Sequence, residues 1–353
     1  MTAVRGRTRT DRQGVFVIRS SRFVSTRRRF LAAASGLAVV AAHNGRGVAF
    51  AQEATPAPEG GWTFVDDRGA TISLPARPER IVAQSTSAAL WDYGIRPIGV
   101  FGPQRNPDGS NAADIGDVDL DSVAGLSEAW DAFDVEGLLA LDADLVVGPL
   151  HPDGDISYLL PEFEELLGGS VPVLGILFTG GVSANHILER YEELAAALGA
   201  DLQTPEVVAA REEFDAAVAD LRDAIAGNPG LTVMAIAGTS DGMVVANASF
   251  AADLVFLKEL GLDIVQHGEE GMWEQLSWEQ ADKHEVDLIL VDARSNAMTR
   301  EEYAAIGTWA SLPAVQAGQL GPWRTELPYS RRAYAEYLRE LAEVIRAADA
   351  GIV

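Results

Sequence analysis

The sequence predicts an α/β protein of two Rossmann-like lobes with parallel sheets, joined by a single long α-helix. Three observations support this prediction. Short apolar segments alternate with amphipathic segments along most of the chain, which is typical of parallel strands covered by helices. The segment 204–226 has the length and the end signals of one uninterrupted helix. The same alternation starts again after this helix, so we expect two related halves.

Length and composition allow this division. With 353 residues, of which 48% are hydrophobic, the chain is long enough for two domains with substantial cores. We predict five segments, namely a signal peptide at 1–51, a flexible leader at 52–61, an N-terminal α/β lobe at 62–203, a linker helix at 204–226 and a C-terminal α/β lobe at 227–353.

The N-terminus has the order of an export signal. Three arginines at 27–29 precede an apolar block at 31–42, and the small residues of 49–51 fit a cleavage site before Gln52. The arginines before Phe-Leu resemble the twin-arginine signal. The apolar block is shorter than the ~18–20 residues that span a bilayer, so we do not expect it to be a transmembrane helix. The arginines and the cleavage site together predict export by the twin-arginine route.

Cysteine content and charge exclude several kinds of protein. The chain has no cysteine, which excludes disulfides, thiolate chemistry and a lipid-modified cysteine anchor. Ten of the 27 basic residues and one of the 52 acidic residues precede Gln52, so the remaining chain has 17 basic and 51 acidic residues. Such an acidic protein repels nucleic acid and anionic membranes. We expect a periplasmic or extracytoplasmic protein that is not lipid-anchored.

The first predicted lobe begins with a hairpin and continues with strands and helices in alternation. The hairpin covers 62–75 and turns at Asp-Arg-Gly, where glycine permits a tight turn. The predicted strands are 81–83, 97–100, 144–147 and 171–177, and the predicted helices are 87–94, 135–141, 161–167 and 183–198.

The long helix has clear ends. Thr204 is a suitable N-cap, Pro205 fits the first helical position, and the Gly-Asn-Pro-Gly segment 227–230 ends the helix. Its apolar residues recur at steps of three and four and form one stripe. In the second lobe we predict strands at 231–236, 263–265 and 287–291 and helices at 250–260, 278–284 and 331–348.

One segment of each half can be aligned with the other without a gap. Glu136 begins a short helix eight residues before Asp144, and Glu279 does the same eight residues before Asp287. Each aspartate precedes a buried strand. The alignment supports two related lobes.

Several motifs, in their order and spacing, resemble one known family. They are Asp67-Arg68-Gly69, Arg77-Pro78-Glu79-Arg80, Leu141-Asp142-Ala143-Asp144-Leu145 and Trp278-Glu279-Gln280. They resemble the extracytoplasmic substrate-binding proteins for ferric siderophores, haem and cobalamin, the class III family with a helical backbone. The resemblance implies a ligand cleft between the lobes, no enzymatic activity, no resident cofactor, and delivery of a metal chelate to an ABC importer. It also implies that Glu136 and Glu279 dock onto the permease dimer, one lobe to each subunit. We expect a monomer.

Ligands of parallel α/β sheets bind beyond the carboxyl ends of the strands. That rule gives the candidate ligand-binding residues, which are Ser87, Arg105, His151, Trp273, Arg294, Trp323, Arg324 and Tyr329. Arginines and aromatic side chains suit a large anionic chelate such as a ferric siderophore. The scattered histidines lack the spacing of a metal motif, so we predict no metal site.

Other functions remain open at this point. Within the family, haem or cobalamin could replace the siderophore as ligand. An exported α/β hydrolase is the alternative from a different class, although the sequence has no Gly-x-Ser-x-Gly elbow and no Gly-x-Gly-x-x-Gly turn. A ligand-sensing module that signals to a partner is the third alternative.

Overall fold

The computed structural model describes residues 61–269, 271–294 and 297–353. These residues belong to one compact unit that spans Glu53–Val353. The predicted signal peptide at 1–51, and the predicted leader at 52–61 except for its last residue, lie outside the described residues. In the described ranges no helix is both long enough and apolar enough to cross a membrane.

The first part of the chain forms a hairpin and a parallel sheet. The hairpin pairs β1 (Trp62–Val65) with β2 (Thr71–Leu74), as predicted. Five parallel strands follow in the spatial order β5-β4-β3-β6-β7. They are β3 (Ile81–Gln84), β4 (Gly99–Phe101), β5 (Ala124–Ser127), β6 (Leu145–Leu150) and β7 (Val173–Leu177). The helices between them are a 3-10 helix (Ser85–Tyr93), α1 (Val135–Ala140), α2 (Pro161–Leu167) and α3 (Ala184–Ala197).

The long helix α4 (Pro205–Gly227) follows this sheet in the chain. Its first turn is capped by Thr204, whose hydroxyl accepts the N–H of Val207 at 3.4 Å, and Pro205 occupies the first helical position. The buried residues of α4 include Phe214 and Leu221, which belong to the apolar stripe seen in the sequence.

The second sheet is mixed. Its strands are β8 (Thr232–Gly238), β9 (Gly242–Ala246), β10 (Asp263–Ile264), β11 (Trp273–Ser277), β12 (Leu288–Asp292) and β13 (Leu320–Trp323). Its helices are α5 (Ala252–Glu259), a 3-10 turn (Trp278–Gln280), α6 (Arg300–Ala304), α7 (Gly307–Ala310), α8 (Pro313–Gln316) and α9 (Arg331–Ala347). The spatial order is β11-β9-β8-β12-β13, with β10 also paired to β8.

This second sheet confirms the α/β fold class and corrects one detail of it. Strands β8, β12 and β13 are parallel, as expected, but β9 runs antiparallel to β8. The segment 238–242 is the turn of the β8–β9 hairpin. The N–H of Thr239 donates to the carbonyl of Gly242 at 2.7 Å and closes this turn.

Helices α4 and α9 pack side by side in parallel. Arg339 pairs with Glu213 at 3.4 Å, and seven residues further along both helices Arg346 pairs with Asp220. At the end of α4 the amide of Asn228 donates to the last carbonyls of α9. The long helix is therefore supported along its length by the C-terminal helix.

The aligned aspartates occupy equivalent positions in the two sheets. Asp144 precedes β6, and its carboxylate accepts the N–H of Arg80 at 2.9 Å just before β3 begins. Asp287 precedes β12, and its carboxylate accepts the N–H of Thr232 at 2.9 Å where β8 begins. Each aspartate thus joins the starts of two neighbouring central strands. The sequence repeat corresponds to the same local structure in each sheet.

Candidate functional site

The carboxyl edges of the two sheets face each other. Because all strands of the first sheet are parallel, the loops that follow them lie on one edge. These loops touch the second sheet's loops at several places. Thr179, after β7, forms a β-bridge with Ala251, and the N–H of Tyr329, after β13, donates to the carbonyl of Thr86 at 3.1 Å. We call the line along which the loops of the two sheets meet the crevice.

Arg294 lies on the C-terminal side of the crevice, directly after β12. Its guanidinium contacts the Asp292 carboxylate through Nε at 3.0 Å and Nη2 at 2.8 Å, and its Nη1 lies 2.8 Å from Glu326 Oε1. Burial lowers the pKa of Arg294, but the two carboxylates outweigh this effect and raise it overall. The side chain keeps 21% of its surface exposed. Arg294 is a fixed cation whose charge is already balanced.

Asp114 faces this group from the N-terminal side. It lies in the long loop after β4 and is only 1% exposed. Burial, together with the nearby Glu326 carboxylate, raises the pKa of Asp114 to about 8. As a carboxylate Asp114 has no hydrogen-bond donor among the described residues, whereas in the protonated form it can donate to Glu326. Two acidic groups from opposite sheets therefore meet in the crevice.

The approach of the two loops at this point is close. Gly116 has a φ of +59°, and a Cβ at this position would lie 2.9 Å from Pro328 Cγ. A side chain would separate the loop that carries Asp114 from the loop that carries Glu326. Glycine at 116 thus allows the contact between the two acidic groups.

Four aromatic side chains form a wall on the N-terminal side of the crevice. Trp130 follows β5, His151 and Tyr158 follow β6, and Phe178 follows β7. The ring centroids of Trp130 and Tyr158 are 4.9 Å apart, and those of His151 and Phe178 are 4.8 Å apart, both in edge-to-face arrangements. We call these four residues the aromatic wall.

The aromatic wall faces the charged group. Burial raises the pKa of Tyr158, Glu326 and Asp114 raise it further, and Arg294 lowers it, which places this hydroxyl near all three charges. Burial also lowers the pKa of His151, against the opposing effect of Asp153, Asp155 and Glu326. His151 is therefore neutral at pH 7, and its Nε2 lies 3.0 Å from Ser157 Oγ.

The chemistry of this arrangement is that of binding. Flat aromatic faces, a neutral imidazole and a group of one guanidinium and several carboxyl groups can hold a large organic ligand by shape and by a few polar contacts. Within the described ranges, no group of three or more His, Cys, Asp or Glu side chains is arranged to hold a metal ion.

The structure brings together only two of the eight ligand-binding residues predicted from the sequence, His151 and Arg294. Arg105 is exposed and contacts the carbonyl of Gly109 at 3.1 Å. Arg324 pairs with Glu340 of α9 at 2.9 Å. Trp273 is half-buried and packs edge-to-face on Trp323, with ring centroids 5.7 Å apart.

Three predicted residues are corrected, because their side chains belong to the core. Ser87 is fully buried, and its hydroxyl lies 2.6 Å from that of Tyr191. Trp323 is also fully buried, and its indole N–H donates to Asp253 at 2.5 Å. Tyr329 stacks on Tyr191 with ring centroids 5.3 Å apart. The strand-end rule selects loops that line the crevice, but it does not say whether a side chain turns into the core or into the crevice.

Sequence reasoning missed Asp114, Trp130, Tyr158 and Glu326. Trp130 follows β5, a strand whose sequence Ala-Gly-Leu-Ser has no β-branched residue and gave no strand signal. Asp114 and Tyr158 lie in irregular loops, and Tyr158 adopts a φ of 63° that only the fold can enforce. Glu326 lies two residues after Arg324, at a predicted strand end where an anionic ligand favours cationic and aromatic residues over acidic ones. The acidic residue near a predicted strand end is the signal by which the sequence could have identified Glu326.

Glu136 and Glu279 are exposed at the same edges as the crevice. Glu136 lies in the first turn of α1, where the Asp134 carboxylate accepts the N–H of Gly137 at 2.8 Å. Glu279 lies in the 3-10 turn after β11, and a hydrogen bond from Ser277 lowers its pKa. Strand β11 runs in the same direction as β8, because each is antiparallel to β9. Each sheet thus presents one acidic side chain beyond the carboxyl end of its strands.

Comparison with known proteins gives the family. A family model described as periplasmic binding protein matches residues 100–326. The chain belongs to the periplasmic binding protein family. Comparison with curated protein sequences finds no match.

Three solved structures illustrate what the chain is similar to. DesE, a ferric-siderophore receptor protein from Streptomyces coelicolor, is 33% identical, with 82% of this chain and 99% of DesE covered and a TM-score of 0.78. The siderophore periplasmic binding protein from the fuscachelin gene cluster of Thermobifida fusca is 21% identical, with 77% and 98% covered and a TM-score of 0.53. The Fe³⁺-Desferal-bound siderophore binding protein FhuD from Vibrio cholerae is 18% identical, with 76% and 98% covered and a TM-score of 0.53.

Membership of the periplasmic binding protein family has direct consequences. It confirms the family resemblance seen in the sequence and the two-lobed α/β fold. Periplasmic binding proteins are extracytoplasmic components of transport systems that bind a substrate for a membrane transporter without transforming it. The protein is therefore not an enzyme, and the hydrolase alternative is not favoured.

Proposed function

We propose that the protein captures a ferric siderophore in the crevice between its sheets and delivers it to an ABC importer. The proposed ligand class rests on the similarity to the ferric-siderophore receptor DesE. This similarity covers 99% of DesE at 33% identity. Haem and cobalamin remain the alternatives within the family.

The proposed ligand site consists of the aromatic wall and the charged group around Arg294. A ferric siderophore supplies all the ligands of its own iron, so the protein has to recognise only an organic shell. Trp130 and Tyr158 offer aromatic surface, and Arg294 offers guanidinium donors beside Asp292 and Glu326.

For delivery, we propose that Glu136 and Glu279 pair with basic residues of the permease. Both side chains are exposed beyond the carboxyl ends of their own sheets. A monomer with one such residue on each lobe suits a permease dimer, because each lobe can face one subunit.

Export completes the proposal. We propose that the mature protein begins at Gln52 after passage through the twin-arginine pathway, and that it acts outside the cytoplasm without a lipid anchor. Mass spectrometry of the exported protein tests this proposal, because a mature N-terminus at any other residue contradicts the cleavage site.

Tryptophan fluorescence tests the ligand class. The purified protein is titrated with ferric hydroxamates, ferric catecholates, ferric carboxylates, haem and cobalamin. A ferric siderophore is expected to quench the tryptophan fluorescence with a Kd below about 1 µM. Trp130→Phe should remove most of the quench, because Trp130 lies in the aromatic wall. Trp309→Phe is the control, because Trp309 is buried in the core beside Tyr303. Quenching by haem or cobalamin alone selects that alternative, and no quenching at all refutes the proposed ligand class.

A further inference from the structure

Asp114 is the acidic residue in the crevice that the fold leaves without a counter-charge. It is 1% exposed, and neither carboxylate oxygen has a donor partner in the described part of the chain. A buried carboxylate without a donor is costly, so Asp114 keeps its proton in the free protein and becomes a carboxylate only when a cation pairs with it.

The nearby cation cannot serve as that partner. The guanidinium of Arg294 already contacts Asp292 at 2.8 Å and Glu326 at 2.8 Å. With Asp114 the group has three carboxyl groups and one guanidinium. The other two arginines predicted at the crevice are engaged elsewhere, Arg105 with Asp121 and Arg324 with Glu340. The site therefore has a deficit of positive charge, contrary to the anionic ligand that the sequence suggested.

We infer that Asp114 is a specificity-determining residue that pairs with a protonated amine on the chelate. The inference rests on the proposed siderophore function and narrows it to ferric chelates that carry an amine and have no net negative charge. An ammonium group supplies three donors and one positive charge, which suits the unpartnered oxygens of Asp114 and the adjacent Glu326.

A bare metal ion fits the same place less well. Arg294 lies between Asp292 and Glu326 and occupies the acceptors that a metal ion would need.

The test compares chelates that differ in charge alone. Fe³⁺-Desferal is a hydroxamate that ends in a primary amine, and acetylation of that amine removes the charge without changing the iron coordination. A ferric tris-catecholate of charge −3 is the third probe. Binding of each is measured by isothermal titration calorimetry with the wild type, with Asp114→Asn and with Asp121→Asn. Asp121 is a matched control because it lies in the same loop region and its side chain is 95% exposed.

The wild type is expected to bind the amine form at least about tenfold more tightly than the acetylated form. Asp114→Asn should bind both forms equally, and Asp121→Asn should keep the preference. Titration in buffers of different ionisation enthalpy adds a second measurement. The amine form should release protons near pH 7 from the wild type and none from Asp114→Asn, because an ammonium group converts a protonated Asp114 into a carboxylate. Thermal unfolding checks that each variant is folded.

The remaining outcomes separate this inference from the proposed function. Equal binding of the two hydroxamates by the wild type overturns the role of Asp114 and leaves the siderophore function standing. Tight binding of the catecholate, without binding of either hydroxamate, also overturns the role of Asp114 and leaves the siderophore function standing. If none of the three chelates binds, the proposed function fails and the inference fails with it.

Discussion

The guanidinium of Arg331 lies 3.0 Å from the carboxylate of Glu192. This ion pair joins the first turn of α9 to α3 of the first lobe. Arg211 of the long helix contacts the same carboxylate oxygen at 3.1 Å. Glu192 thus connects three helices that belong to different parts of the chain.

Replacing Glu192 should destabilise the whole protein. Glu192→Gln leaves two guanidinium groups without their shared carboxylate, and both Glu192 and Arg331 are only 13% exposed. We expect the free energy of unfolding, measured by urea titration, to fall by about 1–3 kcal/mol. Glu193→Gln is the control, because Glu193 is 59% exposed. This replacement should lower the free energy of unfolding by less than about 0.5 kcal/mol. Equal losses in both variants would show that Glu192 is an ordinary surface acid.

Asp253 should make stability depend on pH. Burial raises the pKa of this carboxyl to about 6, partly offset by the hydrogen bond from Trp323. Between about pH 4 and 6 the folded state keeps a proton that the unfolded state has lost, so stability falls as the pH rises through this window. The expected fall is about 3 kcal/mol. Asp253→Asn should lack it, because the neutral amide still accepts the indole N–H.

Unfolding of both proteins between pH 4 and 8 measures this effect. The difference in free energy of unfolding between Asp253→Asn and the wild type should grow from pH 4 to 6 and then stay constant. Parallel curves would mean that Asp253 has an ordinary pKa in the folded protein.

The hydroxyl groups of Ser87 and Tyr191 should contribute to stability and not to binding. Ser87→Ala leaves a buried phenol without its 2.6 Å partner, and the free energy of unfolding should fall by about 1–2 kcal/mol. The double variant Ser87→Ala/Tyr191→Phe should lose less than the sum of the single variants, because both partners are removed together. Siderophore affinity should stay within about twofold in each case. A larger loss of affinity would restore Ser87 as a binding residue.

Arg294 and Arg324 should differ in their effect on binding. Arg294→Gln removes a crevice cation that holds two carboxylates in place, so siderophore affinity should fall at least about tenfold. Arg324→Gln breaks a half-exposed pair with Glu340, and its affinity should change less than about twofold. Fluorescence titration measures both affinities, and equal effects would contradict the site described above.

Charge reversal at the two docking acids should separate binding from delivery. Glu136→Arg and Glu279→Arg should abolish uptake by the importer reconstituted in proteoliposomes, because like charges would meet at the permease. Siderophore affinity should not change, since both residues are exposed. Glu206→Arg is the control, because Glu206 is also an exposed acid in a first helical turn. Normal uptake by the double variant would refute the docking role.

Sequence patterns predicted the fold better than the site. The cap at Thr204, the hairpin turn at Gly69 and the equivalent Asp144 and Asp287 depend on local chemistry, which the sequence shows directly. Strand β9 was missed because Gly-Met-Val-Val-Ala does not alternate between apolar and polar residues.

The site depends on contacts between distant segments. Asp114 meets Glu326 only because two irregular loops approach each other at Gly116, and no local pattern encodes that approach. Trp323 ends β13 and Arg294 follows β12, yet only Arg294 faces the crevice. Their different orientations follow from packing, in particular from the buried partner Asp253 that holds Trp323.

The parallel pairing of α4 with α9 also bears on how the protein is made. Helix α4 ends at Gly227, whereas the residues that support it lie at Arg331–Ala347. During synthesis α4 leaves the ribosome more than 100 residues before its partner does. The native fold is therefore completed only after α9 has left the ribosome, and a chain cut short before α9 would leave the apolar stripe of α4 open to chaperones and proteases.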